Sequence, residues 1–221
     1  MSMTDRALAA GFPRARPAIT YRAHAKRAVD LGVVAILALV TLPLVLLLAL
    51  AVGRDGGAAF FGHERVGRDG RRFRCWKLRT MVPDAEEALA RHLAADPEAA
   101  AEWARDQKLS DDPRVTPVGR LLRATSLDEL PQLWNVAVGD MSLVGPRPVT
   151  PEELERYRGH GEEVLSVRPG VTGLWQVSGR NDVSYDERVR LDVAYARGCS
   201  LGLDLAILWR TVAVVLRRTG R

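Results

Sequence analysis

The sequence between residues 31 and 52 reads Leu31-Gly-Val-Val-Ala-Ile-Leu-Ala-Leu-Val-Thr-Leu-Pro43-Leu-Val-Leu-Leu-Leu-Ala-Leu-Ala-Val52. This run of 22 residues contains no charged side chain. In a helix that rises about 1.5 Å per residue, it is long enough to cross a hydrocarbon core of about 30 Å. A cleaved signal peptide has a shorter apolar core and is not preceded by about 30 residues, so the run predicts a membrane segment.

Pro43 lies near the middle of the apolar run and affects the kind of helix that we expect. A proline inside a helix removes one backbone donor and clashes with the preceding turn, so a kink is predicted near residues 39–42. Thr41 is positioned to satisfy a carbonyl that the kink would free. Hydropathy alone, in contrast, predicts a plain spanning helix.

Both flanks of the apolar run are basic. Lys26 and Arg27 precede it, and a long series of basic residues that begins at Arg54 follows it. Because basic flanks favour the cytoplasm, a hairpin that enters and leaves the membrane on one face accommodates both of them. We therefore expect both chain termini on the cytosolic side. Asp30 is predicted to pair with Arg27 at the membrane boundary, with ordinary snorkelling of these charges as the alternative.

The remaining sequence predicts helices with small β elements. Residues 1–20 are rich in Ala, Arg and Pro without periodicity, which predicts a mobile basic tail. Residues 83–107 predict scaffold helix that Pro97 divides. Residues 201–216 are apolar but carry two charges that make spanning costly, so they predict a helix lying on the membrane or on the core.

Residues 58–81 have a pattern typical of strands and turns. Gly67-Arg-Asp-Gly70 is a hairpin-type turn, and the segment after it begins Arg72-Phe-Arg-Cys, in which polar and apolar side chains alternate. Lys77 falls on the same face as the apolar residues of that segment. It therefore either lies past the end of the strand or points inward toward a site.

Charge and cysteine content restrict the classes of partner and site. The chain has 221 residues, a formal net charge of +5 and a pI near 9.7, which fits nucleic acid, an anionic lipid surface or a phosphorylated substrate. Its two cysteines, Cys75 and Cys199, are far apart and lack metal-binding spacing, so neither a disulfide framework nor a zinc site is indicated. A reducing, cytosol-facing environment is expected.

Two adjacent carboxylates, Asp128 and Glu129, are the first candidates for chemistry. Arg123 lies five residues before the pair, and Arg147 follows between two prolines that restrict its backbone. Acids beside cations are the groups needed to handle a phosphate and a divalent cation, which suggests phosphoryl chemistry. The alternative is that the acids only cap and charge the first turn of a helix, with Ser126 or Asp128 as the N-cap.

Five blocks of sequence, in order, resemble the bacterial sugar transferase family, the monotopic phosphoglycosyl transferases that begin glycoconjugate assembly on a polyprenol phosphate. The resemblance runs from about residue 21 to the C-terminus. The blocks are Lys26-Arg27-Ala-Val-Asp30, Phe73-Arg-Cys-Trp-Lys-Leu-Arg-Thr-Met81, Thr125-Ser-Leu-Asp-Glu-Leu-Pro-Gln-Leu-Trp-Asn135, Gly139-Asp-Met-Ser-Leu-Val-Gly-Pro-Arg-Pro148 and Arg168-Pro-Gly-Val-Thr-Gly-Leu-Trp-Gln-Val-Ser-Gly-Arg-Asn181.

The resemblance implies a fold and a location. The fold class is α+β: a membrane-anchored, mostly helical domain with a re-entrant N-terminal membrane helix and small β elements. In the family a proline-centred break makes this helix re-entrant, usually at a Ser-Pro pair, where this chain has Leu42-Pro43. The expected membrane-anchor residues are Lys26, Arg27, Asp30 and Pro43, at the cytoplasmic face of the bacterial inner membrane. The expected organisation is a mobile basic tail over residues 1–20, a helix-break-helix over 21–53, and a cytosolic catalytic domain with an interfacial C-terminal helix over 54–221.

The resemblance also assigns roles by matched position. Asp128 is expected to attack the phosphorus that bears the sugar, expel a nucleoside monophosphate and hold a phosphosugar ester until a polyprenol phosphate takes it. Glu129 is expected to support Mg²⁺ or proton transfer, and both acids are candidate Mg²⁺ ligands. From its residue type alone, Trp175 is expected in the core or at the membrane interface, with stacking on a base as the alternative. The candidate substrate-binding residues are Lys77, Arg123, Arg147, Pro148, Arg168 and Arg180.

Three classes of function explain parts of the sequence. A membrane-bound transferase explains the apolar run, the charge and the motifs together. A nucleic-acid-binding protein explains only the charge, so nucleic acid is not an expected partner. A non-catalytic membrane scaffold with a basic, lipid-binding surface explains the anchor and treats the two acids as a cap.

The resemblance to exopolysaccharide-initiating members implies a specific reaction. We expect transfer of hexose 1-phosphate from a UDP-sugar, UDP-galactose or UDP-glucose, to undecaprenyl phosphate with release of UMP. This is the first membrane step of exopolysaccharide synthesis. N-acetyl and diacetamido sugars stay open as donors, membrane lipids are expected partners, and a homo-oligomer stays open.

Overall fold

The structure is a computed structural model that describes residues 21–106, 109–179 and 183–216. The predicted basic tail over residues 1–20 and the candidate Arg180 lie outside the described residues. Helices dominate the described part, and two small two-stranded sheets accompany them. The predicted α+β class with small β elements is therefore confirmed.

Helix α1, Lys26–Val52, contains the apolar run and follows a π-helical turn, Tyr21–Ala25. Of the described helices, it is the one that could cross a membrane by length and composition. The side chains in its middle are exposed, including those of Ile36, Leu39 and Leu47. A long apolar helix that leaves its middle uncovered has the surface of a segment that contacts lipid.

The predicted interruption at Pro43 does not appear as a break in secondary structure, because α1 is continuous through this residue. The Thr41 hydroxyl donates to the Leu37 carbonyl at 3.0 Å. The carbonyl that Pro43 leaves without its usual donor is that of Leu39, four residues earlier. The role predicted for Thr41 is therefore wrong: its hydroxyl reinforces an existing turn instead of replacing the donor lost at the proline.

Strand β1, Phe60–Val66, and strand β2, Arg72–Leu78, form the predicted antiparallel hairpin. In the turn between them, Asp69 and Gly70 have positive φ angles, and the Gly67 amide donates to the Arg71 carbonyl at 2.8 Å. Lys77 lies inside β2, which excludes a position past the end of the strand.

Helices α2, Ala85–Ala95, and α3, Pro97–Asp106, confirm that Pro97 divides this region. Asp96 joins them, because its carboxylate accepts from the amides of Glu98 at 2.9 Å and Ala99 at 3.1 Å. Such an acceptor satisfies donors that are left free at the start of a helix.

Helix α4, Pro117–Thr125, packs very closely against the end of β2. Its N-cap Thr116 accepts from the Gly119 amide at 2.9 Å, and the Thr116 amide donates to the Thr80 carbonyl at 3.0 Å. A Cβ atom on Gly119 would lie 2.0 Å from that same carbonyl oxygen. Only glycine therefore permits this approach, which places the later residues of α4 beside the strand.

The chain continues through a 3₁₀ turn, Leu127–Glu129, into helix α5, Gln132–Val138. Strand β3, Ser142–Val144, then pairs in parallel with β4, Gly170–Thr172. The short helices α6, Pro151–Glu155, and α7, Gly161–Leu165, lie between these strands in the sequence. The last described helices are α8, Tyr185–Gly198, and α9, Leu201–Leu216.

The start of α1 is fixed to the domain by polar side chains. Arg27 donates to the carbonyls of Val136 and Ala137 at the end of α5, the latter at 2.9 Å. Asp30 accepts from the Ser142 hydroxyl at 2.7 Å and from the Leu143 amide at 3.1 Å. The predicted Arg27–Asp30 pair is therefore wrong: each side chain binds backbone or hydroxyl groups of the domain.

Helix α9 combines a buried face with an exposed apolar face. Asp204 on it is 3% exposed and accepts from Lys26 Nζ at 2.5 Å, from the Tyr21 hydroxyl at 2.6 Å and from the Tyr195 hydroxyl at 2.7 Å. One of the two charges that make spanning costly thus packs into the core. The exposed side carries Leu205, Trp209 and Val212.

Candidate active site

A cavity of about 760 Å³ opens where the end of β2 meets the start of α2 and the turn Leu127–Glu129. The loops that follow β3 and β4 complete its wall. The charged lining residues are Lys77, Arg79, Asp84, Glu86, Glu87, Arg123, Asp128, Glu129 and Arg147.

The turn that carries the two acids differs from the capping alternative. Ser126 ends α4 in the left-handed conformation, with φ 58°, and its side chain caps neither helix nor turn. Asp128 and Glu129 lie in the 3₁₀ turn that follows and precede α5. Both acids line the cavity, although the Asp128 residue is only 8% exposed. They are therefore placed for contact with a ligand instead of capping α5.

Lys77 points from β2 toward both acids, as the inward alternative predicts. Its Nζ atom lies 2.6 Å from Glu129 Oε1 and 3.7 Å from Asp128 Oδ2. Strand alternation accounts for this direction, because Cys75 on the same face of β2 is buried. The Lys77 cation thus offsets the negative charge of two neighbouring carboxylates.

Burial raises the pKa of Asp128, and the neighbouring Glu129 acts in the same direction. Lys77 and Arg123 oppose this rise. A carboxylate that is poorly solvated but faces two cations has lost part of its hydration shell while keeping its counter-charges. This environment suits a nucleophile.

Arg123 and Arg147 reach the cavity from two different elements, helix α4 and the loop after β3. Arg123 lies on α4, and its Nε atom donates to the Thr80 hydroxyl at 2.9 Å. The guanidinium carbon of Arg147 lies 5.7 Å from the centre of the Trp175 ring. Trp175 is 6% exposed, which confirms a core aromatic, although it also contributes to the cavity wall.

Comparisons with known proteins identify the family. The sequence profile of the bacterial sugar transferase family matches residues 21–218. The chain belongs to this family. It is 56% identical over 196 residues to a UDP-galactose-lipid carrier transferase of Erwinia amylovora and 54% identical over 195 residues to an undecaprenyl-phosphate galactose phosphotransferase of Salmonella typhimurium. Each alignment covers 88% of this chain and 41% of the relative, so the chain spans about two fifths of their length.

A shorter relative matches over most of its own length. The exopolysaccharide production protein ExoY of Sinorhizobium fredii is 48% identical over 197 residues, which cover 88% of this chain and 87% of that protein. The matched residues 21–218 include both the long apolar helix α1 and the domain with the cavity.

Not all residues expected from the family blocks line the cavity. Arg168 is not among its described lining residues; its Nε atom donates to the Gly139 carbonyl at 2.8 Å, and burial lowers its pKa. Pro148 also lies outside the lining, next to Val149, whose carbonyl accepts from the Val66 amide at 2.8 Å. The structure thus places Lys77, Arg123 and Arg147 in the lining of the cavity that the two acids share, and Arg168 and Pro148 are not among its described lining residues.

Several lining residues were not predicted. The start of α2, expected to be scaffold, contributes Asp84, Glu86 and Glu87, and the loop after β4 contributes Gln176. Thr80, which orients Arg123, is a further addition. The sequence contains a signal for Thr80, because this residue lies in the same family block as Lys77. The residues of α2 show no such sequence signal, since their composition is that of an ordinary solvated helix.

The described residues contain no cluster of three or more His, Cys, Asp or Glu side chains arranged to hold a metal ion. The two acids nevertheless fit Mg²⁺. This ion is commonly bound by one or two carboxylates together with substrate phosphates and water, instead of by a cage of protein ligands. Asp128 and Glu129, adjacent on one turn at the cavity wall, are the residues that would hold it.

Proposed function

We propose that the chain transfers hexose 1-phosphate from a UDP-sugar to undecaprenyl phosphate and releases UMP. The observation that carries the proposal is the placement of Asp128 and Glu129 at the wall of a cavity that also presents Lys77, Arg123 and Arg147. A phosphorus surrounded by anionic oxygens needs cations to offset charge and a preorganised nucleophile. The names of the Erwinia and Salmonella relatives support the same reaction.

In the first half of the reaction, a carboxylate oxygen of Asp128 forms a bond to the phosphorus that bears the sugar. The bond between this phosphorus and the bridging oxygen breaks, and UMP leaves with the electron pair. Lys77 favours the ionised form of Asp128, because its cation lies 3.7 Å from that carboxylate. Arg123 and Arg147 offset the charge of the diphosphate.

In the second half, an oxygen of undecaprenyl phosphate bonds to the same phosphorus and the bond to Asp128 breaks, which regenerates the carboxylate. Glu129 takes the proton of an acceptor phosphate that arrives protonated. Because the intermediate is covalent, the soluble donor and the lipid acceptor need not occupy the cavity together. Ping-pong kinetics follow.

Mg²⁺ bound by Asp128 and Glu129 would supply further positive charge to the phosphate oxygens. A weaker dependence of the rate on Mg²⁺ concentration in Glu129→Gln would support this role. An unchanged dependence of the rate on Mg²⁺ concentration in that variant would exclude Glu129 as a ligand.

The packing of α1 supports a location at the cytoplasmic face of the bacterial inner membrane, with a re-entrant helix. Near its start, Asp30 binds β3 of the domain. At its end, Val52 packs with Leu78 and Leu122, and its carbonyl accepts from Arg79 at 3.1 Å. A domain that holds both ends of the helix favours entry and exit on one face.

A donor panel tests the reaction. Purified protein in nanodiscs that contain undecaprenyl phosphate is incubated with UDP-galactose, UDP-glucose and UDP-N-acetylglucosamine, and UMP is quantified. We expect UMP from UDP-galactose or UDP-glucose, and a loss of rate by at least about three orders of magnitude in Asp128→Asn. A non-catalytic scaffold would release UMP from none of the donors, which would contradict the proposal.

The covalent step needs its own measurement. A UDP-hexose labelled in the phosphate next to the sugar is added without acceptor, and acid-quenched protein is counted. Label is expected on the wild type and not on Asp128→Asn. Turnover of wild-type protein without any trapped label would exclude Asp128 as the nucleophile while leaving the overall reaction in place.

A further inference from the structure

One group of side chains beside the cavity contains several buried polar atoms without partners. In the described part of the chain, Nε of Arg147, Nε1 of Trp175, Nε of Arg188 and Oδ1 of Asp192 are buried and form no hydrogen bond. Buried polar atoms of native proteins nearly always have a partner. The collection of such atoms in one place therefore indicates a function beyond packing.

Three of these residues, Arg147, Trp175 and Arg188, form one stack. The guanidinium carbon of Arg188 lies 4.2 Å from the centre of the Trp175 ring, and that of Arg147 lies 5.7 Å from the same centre. Asp192 follows Arg188 by one turn of α8 and accepts from the Tyr157 hydroxyl at 2.9 Å. Contact with the face of an aromatic ring stabilises a guanidinium.

The stack has more positive than negative charge. Among the described residues, no carboxylate forms an ion pair with Arg147 or Arg188, and Asp192 is the acid that influences both from within the core. The terminal nitrogens of Arg147 are not among the buried unpartnered atoms, and this side chain lines the cavity. A half-buried pair of cations that lacks an ion-pair partner in contact is costly unless an anion completes it.

We propose that Arg188 is a positioning residue for the phosphate contact of Arg147: it stacks on Trp175, and the indole ring in turn holds the Arg147 guanidinium at the cavity wall, where ring and guanidinium together form a phosphate subsite. Arg188 is not among the described lining residues of the cavity, so it acts through the indole ring and not on the ligand. The ligand is a phosphate ester. The inference rests on the proposed function, which supplies this phosphate ester. It is either the nucleotide phosphate that leaves as UMP or the phosphate of the polyprenyl acceptor.

Direct binding tests the subsite without requiring turnover. The dissociation constants of uridine and UMP are measured by calorimetry on detergent-solubilised wild type, Arg188→Ala, Arg188→Lys and Arg147→Ala. The ratio of the dissociation constants of uridine and UMP gives the contribution of the phosphate group to binding. We expect the preference for UMP over uridine to fall by at least about tenfold in both alanine variants. A change of this size corresponds to the loss of one charge-assisted hydrogen bond to the phosphate. Arg188→Lys should recover only part of it, because an ammonium lacks the planar stacking surface.

Arg190→Ala is the matched control. Arg190 lies on the same helix, its side chain is 66% exposed, and it approaches Glu187 at 3.4 Å. Its removal should leave both dissociation constants unchanged. Thermal melting of every variant separates a local effect from unfolding; if Arg188→Ala unfolds, Arg188→Lys and Arg188→Gln are compared instead.

The KM for undecaprenyl phosphate distinguishes the two sources. A lost preference for UMP with unchanged acceptor KM places the nucleotide phosphate in the subsite, whereas an unchanged preference with a raised acceptor KM places the lipid phosphate there. If neither the preference nor this KM changes in folded Arg188→Ala, the subsite proposal is wrong. A wild type that binds UMP in preference to uridine but releases no UMP from any donor would contradict the proposed function and leave the subsite supported.

Discussion

Lys77 is the residue whose position best explains how two adjacent acids can share one turn at the cavity wall. Its Nζ atom lies within 4 Å of both carboxylates, and the two negative charges would otherwise oppose each other. We expect Lys77→Gln to lower the rate of UMP release by about one to two orders of magnitude, with little effect on thermal stability. The measurement is kcat in the nanodisc assay.

Arg72→Gln is the control for Lys77→Gln. Arg72 lies on the same strand, its side chain is 66% exposed, and it pairs with Glu64 away from the cavity. The rate of this variant should be that of the wild type. Equal losses in both variants would mean that the net charge of β2 is what matters, and not the contact of Lys77 with the acids.

Gly119 is the residue that permits α4 to approach the end of β2. A methyl group there would lie 2.0 Å from the Thr80 carbonyl, so Gly119→Ala should separate α4 from the strand and destabilise the domain by about 1–3 kcal/mol. The rate of UMP release should fall as well, because Arg123 is oriented by Thr80.

Gly32→Ala is the matched control, since a Cβ atom at Gly32 meets nothing within 4 Å. Thermal melting and UMP release are measured for both variants. Alanine at Gly32 should be neutral or slightly stabilising, as in other helix interiors. Unchanged melting of Gly119→Ala would show that α4 and β2 can move apart without cost.

At the scale of elements, α8 carries a buried acid that makes stability depend on pH. Burial raises the pKa of Asp192 to about 7, while the Tyr157 hydroxyl, the Arg147 amide and the charges of Arg188 and Arg147 act in the opposite direction. The unfolded chain releases this proton near pH 4. Between about pH 4 and 7 the folded state therefore binds more protons, and its stability falls as the pH rises.

Asp192→Asn tests this dependence. The stability of the wild type relative to this variant should fall by up to about 1.4 kcal/mol per pH unit over that window and then level off above pH 7. Apparent melting temperatures of both proteins at pH 5, 6, 7 and 8 provide the measurement. Parallel melting curves across the range would show that Asp192 is ionised in the folded protein at pH 5.

Elements with local signals were predicted well from the sequence. Pro97 ends one helix and begins the next, and Gly67 and Gly70 mark the hairpin turn, because each constraint acts within a few residues. Pro43 shows the limit of such reasoning. One lost backbone donor did not interrupt α1, since the turns on both sides keep their own hydrogen bonds.

At the scale of the whole molecule, prediction from sequence failed where contacts join distant segments. The Asp30–Ser142 and Lys26–Asp204 contacts connect residues 112 and 178 positions apart, and no local pattern indicates either of them. The same limit applies to the site. Asp128, Glu129, Lys77, Arg123 and Arg147 were found through residue type and resemblance, whereas the stack of Arg188 on Trp175 depends on how α8 packs.

The attachment of both ends of α1 to one domain leads to a prediction about topology. Ala25 and Arg54 flank the helix and are exposed, whereas both native cysteines are buried. Ala25→Cys and Arg54→Cys should therefore react selectively with a membrane-impermeant maleimide. We expect both positions to be labelled in inside-out vesicles and neither in right-side-out vesicles, because a re-entrant helix returns to the cytosolic side. Labelling of the two positions from opposite sides would mean that α1 spans the bilayer and that one of its two attachments, Asp30 to β3 or Arg79 to Val52, is released in the membrane.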